Sequence, residues 1–129
     1  MILDTSAIVA VLLKEPGCEA LIECLAEHPE PGVGAPTMVE SGIVLSARLG
    51  PSGQTLLARF AQGYELEILP FGGEHWSVAV QAFQRFGKGR HQAALNFGDC
   101  LTYAVARLAG EPLLCRGEDF AKTDLPLIR

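Results

Sequence analysis

A chain of 129 residues with 49% hydrophobic side chains can bury one sizeable core, which excludes a disordered protein and predicts one domain, residues 1–129. The net charge of −5 argues against a simple polyanion-coating protein but not against a nucleic-acid enzyme, because four carboxylates gathered at a metal would leave only −1. No apolar run approaches the roughly 20 residues that span a bilayer, and no secretory signal pattern opens the chain, so a cytoplasmic protein with no membrane association is expected.

The first stretch, Met1-Ile2-Leu3-Asp4-Thr5-Ser6-Ala7, runs from three apolar residues into an acid and two hydroxyls. The apolar run predicts a buried strand. Asp4, Thr5 and Ser6 then offer side-chain oxygens to the free N–H groups of a helix start. Residues 7–13 read as a helix buried on most sides and stopped by Pro16-Gly17. Residues 18–27 read as an amphipathic helix with Leu21, Ile22, Cys24 and Leu25 inward and Glu19, Glu23 and Glu27 outward. Residues 33–35 form a short second strand. Pro36-Thr37 opens a helix reaching Leu49, in which Thr37-Met38-Val39-Glu40 has the pattern of a capping box.

Residues 55–62 resume helical spacing, and 66–69 give a third strand. In the helix over 74–86, Trp76, Val80 and Phe83 recur at i, i+4 and i+7 and are read as its core face. A loop with a basic start covers 87–97. A helix over 99–109 closes at Gly110, a fourth strand covers 112–115, and Leu127-Ile128 is a candidate fifth. Strands separated by helices pair in parallel through right-handed crossovers. The expected architecture is a three-layer α/β/α sandwich on a mainly parallel sheet. Cys18, Cys24, Cys100 and Cys115 have no C-x-x-C spacing, so neither zinc nor a disulfide framework is expected.

Ligands of open α/β sheets sit at the carboxyl ends of the strands. Asp4 follows the first strand there. Glu40 lies in the first turn of the helix after the second, sharing a face with Val44 and Ala47. Asp99 opens the helix before the fourth, and Asp119 follows the fourth strand in Arg116-Gly117-Glu118-Asp119-Phe120. Each has a plain structural reading as well: a cap for Asp4, a capping box for Glu40, a cap or first-turn acid for Asp99, turn chemistry for Asp119. Clustered carboxylates repel one another unless a cation compensates. Mg²⁺ or Mn²⁺, hard ions that prefer oxygen, would suit them. Two such ions about 3.5–4 Å apart can stabilise the attacking and leaving oxygens of a phosphoryl displacement. Arg85, Lys88, Arg90 and His91 are either a solvated loop or a rim that tracks phosphates, with Lys88 and Arg90 as the candidate nucleic-acid-binding residues.

The sequence resembles the PIN domain, and within it the VapC toxins of toxin–antitoxin pairs. The resemblance rests on the Asp-Thr-Ser opening, the Glu40 helix, Leu95-Asn96-Phe97-Gly98-Asp99-Cys100, Pro112-Leu113-Leu114, and Gly117-Glu118-Asp119-Phe120 with Thr123-Asp124. It implies a PIN-like fold and a Mg²⁺-dependent endoribonuclease, with Mn²⁺ as a substitute, restrained by a cognate VapB-type antitoxin, with a homodimer as the expected assembly. It further implies Asp4, Glu40 and Asp99 as metal ligands and Asp119 as the fourth acid, with Glu118 and Asp124 as alternatives. Ser6 and Asn96 are implied as supporting residues. An antitoxin helix is expected in a groove between the 18–27 helix and the helix from Thr37. Two alternatives stay open: a non-catalytic PIN-like partner acting by binding, and a metal-dependent phosphohydrolase of the haloacid-dehalogenase type. Against the second, Ser6 stands where that type carries a second acid.

Overall fold

Ile2 and Leu3 show how the chain is layered. Side chains alternate along a strand; Ile2 enters the core on one face of the sheet and Leu3 the core on the other. A strand apolar on both faces is covered by helices on both. The computed structural model describes residues 1–128. In chain order the elements are β1 (Ile2–Leu3), α1 (Thr5–Leu12), α2 (Cys18–Glu27), β2 (Gly32–Gly34), α3 (Ala35–Leu49), α4 (Ser52–Gly63), β3 (Glu67–Leu69), α5 (His75–Phe86), α6 (Phe97–Ala109), β4 (Leu113–Leu114) and a 3₁₀ turn, Phe120–Lys122.

The strands form a parallel sheet in the order β3-β2-β1-β4. Ile2 is in register with Gly32 on one side and Leu113 on the other. Leu127 adds one parallel bridge to Leu113, which is all that the expected fifth strand amounts to. On one face Ala79, Ala82 and Phe86 of α5 and Ala104 of α6 pack with Ile2 and Leu113. On the other, Ile8, Leu21, Leu25, Leu45, Leu57 and Phe60 pack with Leu3, Val33 and Leu114. The expected three-layer α/β architecture is present. At the end of β2, a Cβ on Gly34 would lie 2.9 Å from Val105 Cγ2, so the bare backbone lets α6 press close to the sheet. No disulfide joins the described cysteines, and among the described residues no helix is long and apolar enough to cross a membrane.

Several expectations are corrected. Trp76 is 62% exposed, and Val80 and Phe83 also face outward; the buried face of α5 is Ala79, Ala82 and Phe86. The small side chains let α5 and α6 approach closely, and the large ones are left on the flank. Ile22 is likewise exposed, so α2 buries Cys18, Leu21 and Leu25. α3 starts at Ala35 with Pro36 in its first turn, where a missing N–H costs nothing. Thr37 is therefore inside the helix, its hydroxyl 3.2 Å from that of Thr102 in the core, and Thr37–Glu40 is not a capping box. α2 packs on α1 while α3 packs on α4, and an apolar groove of about 580 Å³ lies between α3 and α4.

Candidate active site

The carboxyl ends of β1 and β4 and the first turns of α1 and α6 enclose an open pocket of about 530 Å³ lined by Asp4, Glu40 and Asp99. Asp4 is the N-cap of α1. Its Oδ2 accepts from the Ser6 backbone N–H (3.1 Å) and hydroxyl (2.7 Å). Capping occupies that oxygen alone, so Oδ1 remains available at the pocket. Ser6 Oγ in turn accepts from the Arg116 N–H at 2.9 Å, tying the start of α1 to the turn after β4.

Glu40 sits in the second turn of α3 and reaches across to α1, where the Thr5 hydroxyl donates to its Oε1 at 2.5 Å. The other oxygen, Oε2, lies against the backbone of Gly98 in α6: a Cβ at that glycine would fall inside contact distance of Oε2 and 3.1 Å from Cδ. Val44, one turn on, lines the same pocket, whereas Ala47 is exposed. Asp99 is the third residue of α6. It shares a reciprocal capping box with Asn96: the Asp99 N–H donates to Asn96 Oδ1 (2.9 Å) and the Asn96 N–H to Asp99 Oδ2 (3.0 Å). α6 accordingly begins at Phe97, two residues before the expected start, with Asn96 as its cap.

Burial pushes the Asp99 carboxyl up to about 6; the Asn96 N–H pulls it down, while the negative charges of Asp4, Asp119 and Glu40 push it up. Asp4, Glu40 and Asp119 are thus each within electrostatic reach of Asp99. Asp119 is exposed, at the entry to the 3₁₀ turn. Of its two rivals, Asp124 is taken up elsewhere: it accepts from the Tyr103 hydroxyl (2.7 Å) and pairs with Arg85 (3.2 Å) and Arg107 (3.7 Å). Burial pushes its carboxyl up, but the Tyr103 hydroxyl and the two guanidiniums outweigh that and hold it below the usual value. Glu118 is exposed and, unlike Asp119, is not among the charges that raise Asp99.

An all-oxygen donor set fits a hard divalent cation and not zinc. Among the described residues no three acidic, His or Cys side chains converge into a ready-made cage. Mg²⁺ usually keeps several of its waters and binds through one or two carboxylates plus a phosphate, so a spread arrangement suits it.

A sequence profile of the PIN domain matches residues 1–125. Ribonuclease VapC36 of Mycobacterium tuberculosis is 48% identical over 126 residues, covering 97% of this chain and 91% of that protein. The chain belongs to the PIN-domain family and, within it, to the VapC group. Two solved structures share the fold at low identity. The VapC20 toxin of Mycobacterium tuberculosis, described as cleaving the sarcin–ricin loop, superposes with a TM-score of 0.82 at 17% identity, covering 99% of this chain and 98% of its own. VapBC2 of Rickettsia felis, bound to a DNA fragment from its promoter, gives 0.77 at 18%, covering 98% and 96%.

In this PIN domain the basic loop does not line the acid pocket. Lys88 and Arg90 are exposed between α5 and α6, where Lys88 N–H donates to Leu95 C=O (2.9 Å) and the Arg90 guanidinium lies 5.7 Å from the centre of the Phe83 ring. Arg85 is committed to Asp124 and to the Phe86 ring. The cation in the lining is Arg116. Sequence reasoning missed Arg116, Glu15 and the Thr5–Glu40 bond. The one signal for Arg116 is its position two residues after β4, at the same end of the sheet as the acids.

Proposed function

We propose that this PIN domain is the toxin of a type II toxin–antitoxin pair, a cytoplasmic endoribonuclease that needs Mg²⁺, with Mn²⁺ as a substitute, and is neutralised by a VapB-type antitoxin. The observation that carries the reading is the meeting of Asp4, Glu40 and Asp99 in one pocket at the strand ends, with Asp119 close enough to raise Asp99. The names of the relatives support an RNA substrate, and the antitoxin complexes among the structural neighbours support the partner.

Asp4, Glu40 and Asp99 would hold the ion, with Asp119 at the edge. When bound, the ion would supply Lewis-acid stabilisation of the developing charge and would ease deprotonation of the water that attacks phosphorus. The chain's own part is to aim the carboxylates. Ser6 fixes one oxygen of Asp4 and Asn96 one of Asp99, leaving the second oxygen of each for the pocket, while Glu40 is placed by the Thr5 hydroxyl and the Gly98 backbone. Hydrolysis adds water across a phosphodiester P–O bond, and the open pocket admits a polymer without a lid.

The test is cleavage of total RNA, a sarcin–ricin-type stem-loop, single-stranded DNA and a phosphomonoester, each with Mg²⁺ or with chelator. Mg²⁺-dependent cutting of RNA alone is expected. Turnover of the phosphomonoester alone would move the chain to the phosphohydrolase class, and no turnover of any substrate would favour a binding partner without catalysis. The same reading includes a homodimer, supported by the apolar strip that Val39, Val80, Phe83 and Phe97 leave exposed on α3, α5 and α6; Phe97 is 79% exposed. Sedimentation of the purified chain as a monomer would overturn it.

A further inference from the structure

We infer that Arg116 is the substrate-phosphate clamp of the acid pocket, parked on Glu15 and exchanging that carboxylate for a phosphate oxygen when RNA enters. The inference rests on the nuclease reading above and adds the group that receives the polymer. A pocket lined by Asp4, Glu15, Glu40 and Asp99 repels a phosphodiester, and a divalent ion offsets only part of that charge. Among the described lining residues Arg116 alone is a cation.

Its backbone is not free to drift. The Arg116 N–H donates to Ser6 Oγ at 2.9 Å, and the same hydroxyl donates to Asp4 Oδ2 at 2.7 Å. One serine therefore sets both the carboxylate and the base of the arginine. The side chain, in contrast, is loosely engaged. Its Nη1 is 3.3 Å from Glu15 Oε2, long for a charge-assisted bond, and it is 43% exposed. A guanidinium has five donors in a planar fork, so most stay available, and a half-exposed pair of this length is readily exchanged. Glu15 is held in place by its own N–H, bonded to Ala10 C=O at the end of α1 (2.9 Å). It offers the guanidinium the same two-oxygen face that a phosphate does.

The competing account is that the pair merely staples the end of α1 to the turn after β4. The two accounts differ in sign. If the pair is a staple, Arg116→Ala and Glu15→Gln loosen the same contact and act in the same direction. If Arg116 is a clamp, they act oppositely: Arg116→Ala weakens RNA binding, and Glu15→Gln, which releases the guanidinium, strengthens it when Arg116 is present and much less when Arg116→Ala is combined with it, which separates release of the guanidinium from mere loss of a repelling charge.

Binding is read by fluorescence anisotropy with a short fluorescein-labelled single-stranded RNA, with chelator present and Asp99→Asn in every protein, so that neither cleavage nor metal enters the readout. Arg116→Ala is expected to lower affinity and reduce the slope of log K against log salt by about 0.7, the share of one phosphate contact on a single strand. Arg116→Lys keeps the charge without the fork and should fall between. Wild-type affinity and slope in Arg116→Ala, or weakening by both single changes, would overturn the clamp. Cleavage of RNA by the otherwise unaltered chain in that case would leave the nuclease reading standing. An unaltered chain that neither binds nor cuts RNA would remove both.

Discussion

Gly98→Ala separates stability from chemistry in this fold. Gly98 is the second residue of α6, and its Cα faces the Glu40 carboxylate. Its φ lies outside the left-handed region, so alanine fits the backbone. Alanine in a helix gains from a few tenths to about 1 kcal/mol over glycine, worth a melting-temperature rise of up to about 4 °C at this size. The added Cβ, however, would stand 3.1 Å from Glu40 Cδ and closer still to Oε2. An unstrained contact of roughly 3.5 Å requires the carboxylate to withdraw by about an ångström. Its side chain is long and flexible, so the fold loses little more than the Thr5–Glu40 hydrogen bond. The chemistry loses more: metal–ligand distances tolerate about 0.2 Å, and a 1 Å misplacement can cost about 10²-fold in rate. The expected result is a kcat/KM down about 10²-fold, a raised Mg²⁺ requirement, and a melting temperature unchanged or higher. Adding Glu40→Gln should cause little further loss, because both changes remove one interaction. Wild-type cleavage and Mg²⁺ dependence in a protein with a raised melting temperature would refute the reasoning.

Asp4→Asn and Asp99→Asn should each abolish cleavage with circular dichroism unchanged, since the amide keeps an acceptor for the capping bonds but loses the charge; wild-type cutting by both would remove the acids from the mechanism. Two acids should show opposite pH signatures in melts under chelator. Asp99 titrates at about 6 in the folded chain against about 3.9 unfolded, so its ionisation costs stability as pH rises through that window; Asp99→Asn should melt higher than wild type at pH 7, and the gain should vanish below about pH 4. The Asp124 carboxyl is held low, so it contributes stability above its unfolded value that is lost in acid; Asp124→Asn should melt lower at neutral pH, with the gap closing as pH falls. A gap independent of pH in either variant would contradict the assignment. Lys88→Ala with Arg90→Ala should reduce the salt slope of RNA binding by about 1.4 if both touch phosphate; an unchanged slope returns the loop to solvent.

Residue type and position along the chain made Asp4 and Asp99 legible, because strand ends and helix starts are local events. The α/β order and the parallel sheet followed from the same kind of reading. Trp76 was misplaced because periodicity finds an apolar stripe without saying which stripe faces inward. In α5 the stripe of Ala79, Ala82 and Phe86 competes with that of Trp76, Val80 and Phe83, and close packing against α6 favours the smaller side chains. Thr37 looked like a cap because its partner, the Thr102 hydroxyl, lies 65 residues away. The choice among Glu118, Asp119 and Asp124 also depended on distant residues: Tyr103, Arg85 and Arg107 draw Asp124 away from the pocket. Arg116 stayed hidden because a lone cation in a turn carries no pattern.

Capping and metal binding, set against each other as readings of Asp4 and Asp99, do not exclude one another in the folded chain. A carboxylate has two oxygens. In Asp4 and Asp99 one accepts N–H groups at the start of a helix and the other is left for the pocket. The two acids therefore sit at the positive ends of the α1 and α6 dipoles, which favour negative charge there. A cap is commonly worth about 1 kcal/mol, and that gain offsets part of the cost of holding Asp99 buried and beside other acids, which pushes its carboxyl up to about 6. Glu40, which reaches the pocket from the second turn of α3, has no such cap. Its two oxygens are placed instead by the Thr5 hydroxyl and by the bare backbone of Gly98. Helix ends thus let the fold gather acids before any cation arrives, and the one acid that lacks a helix end depends on a neighbour with no side chain.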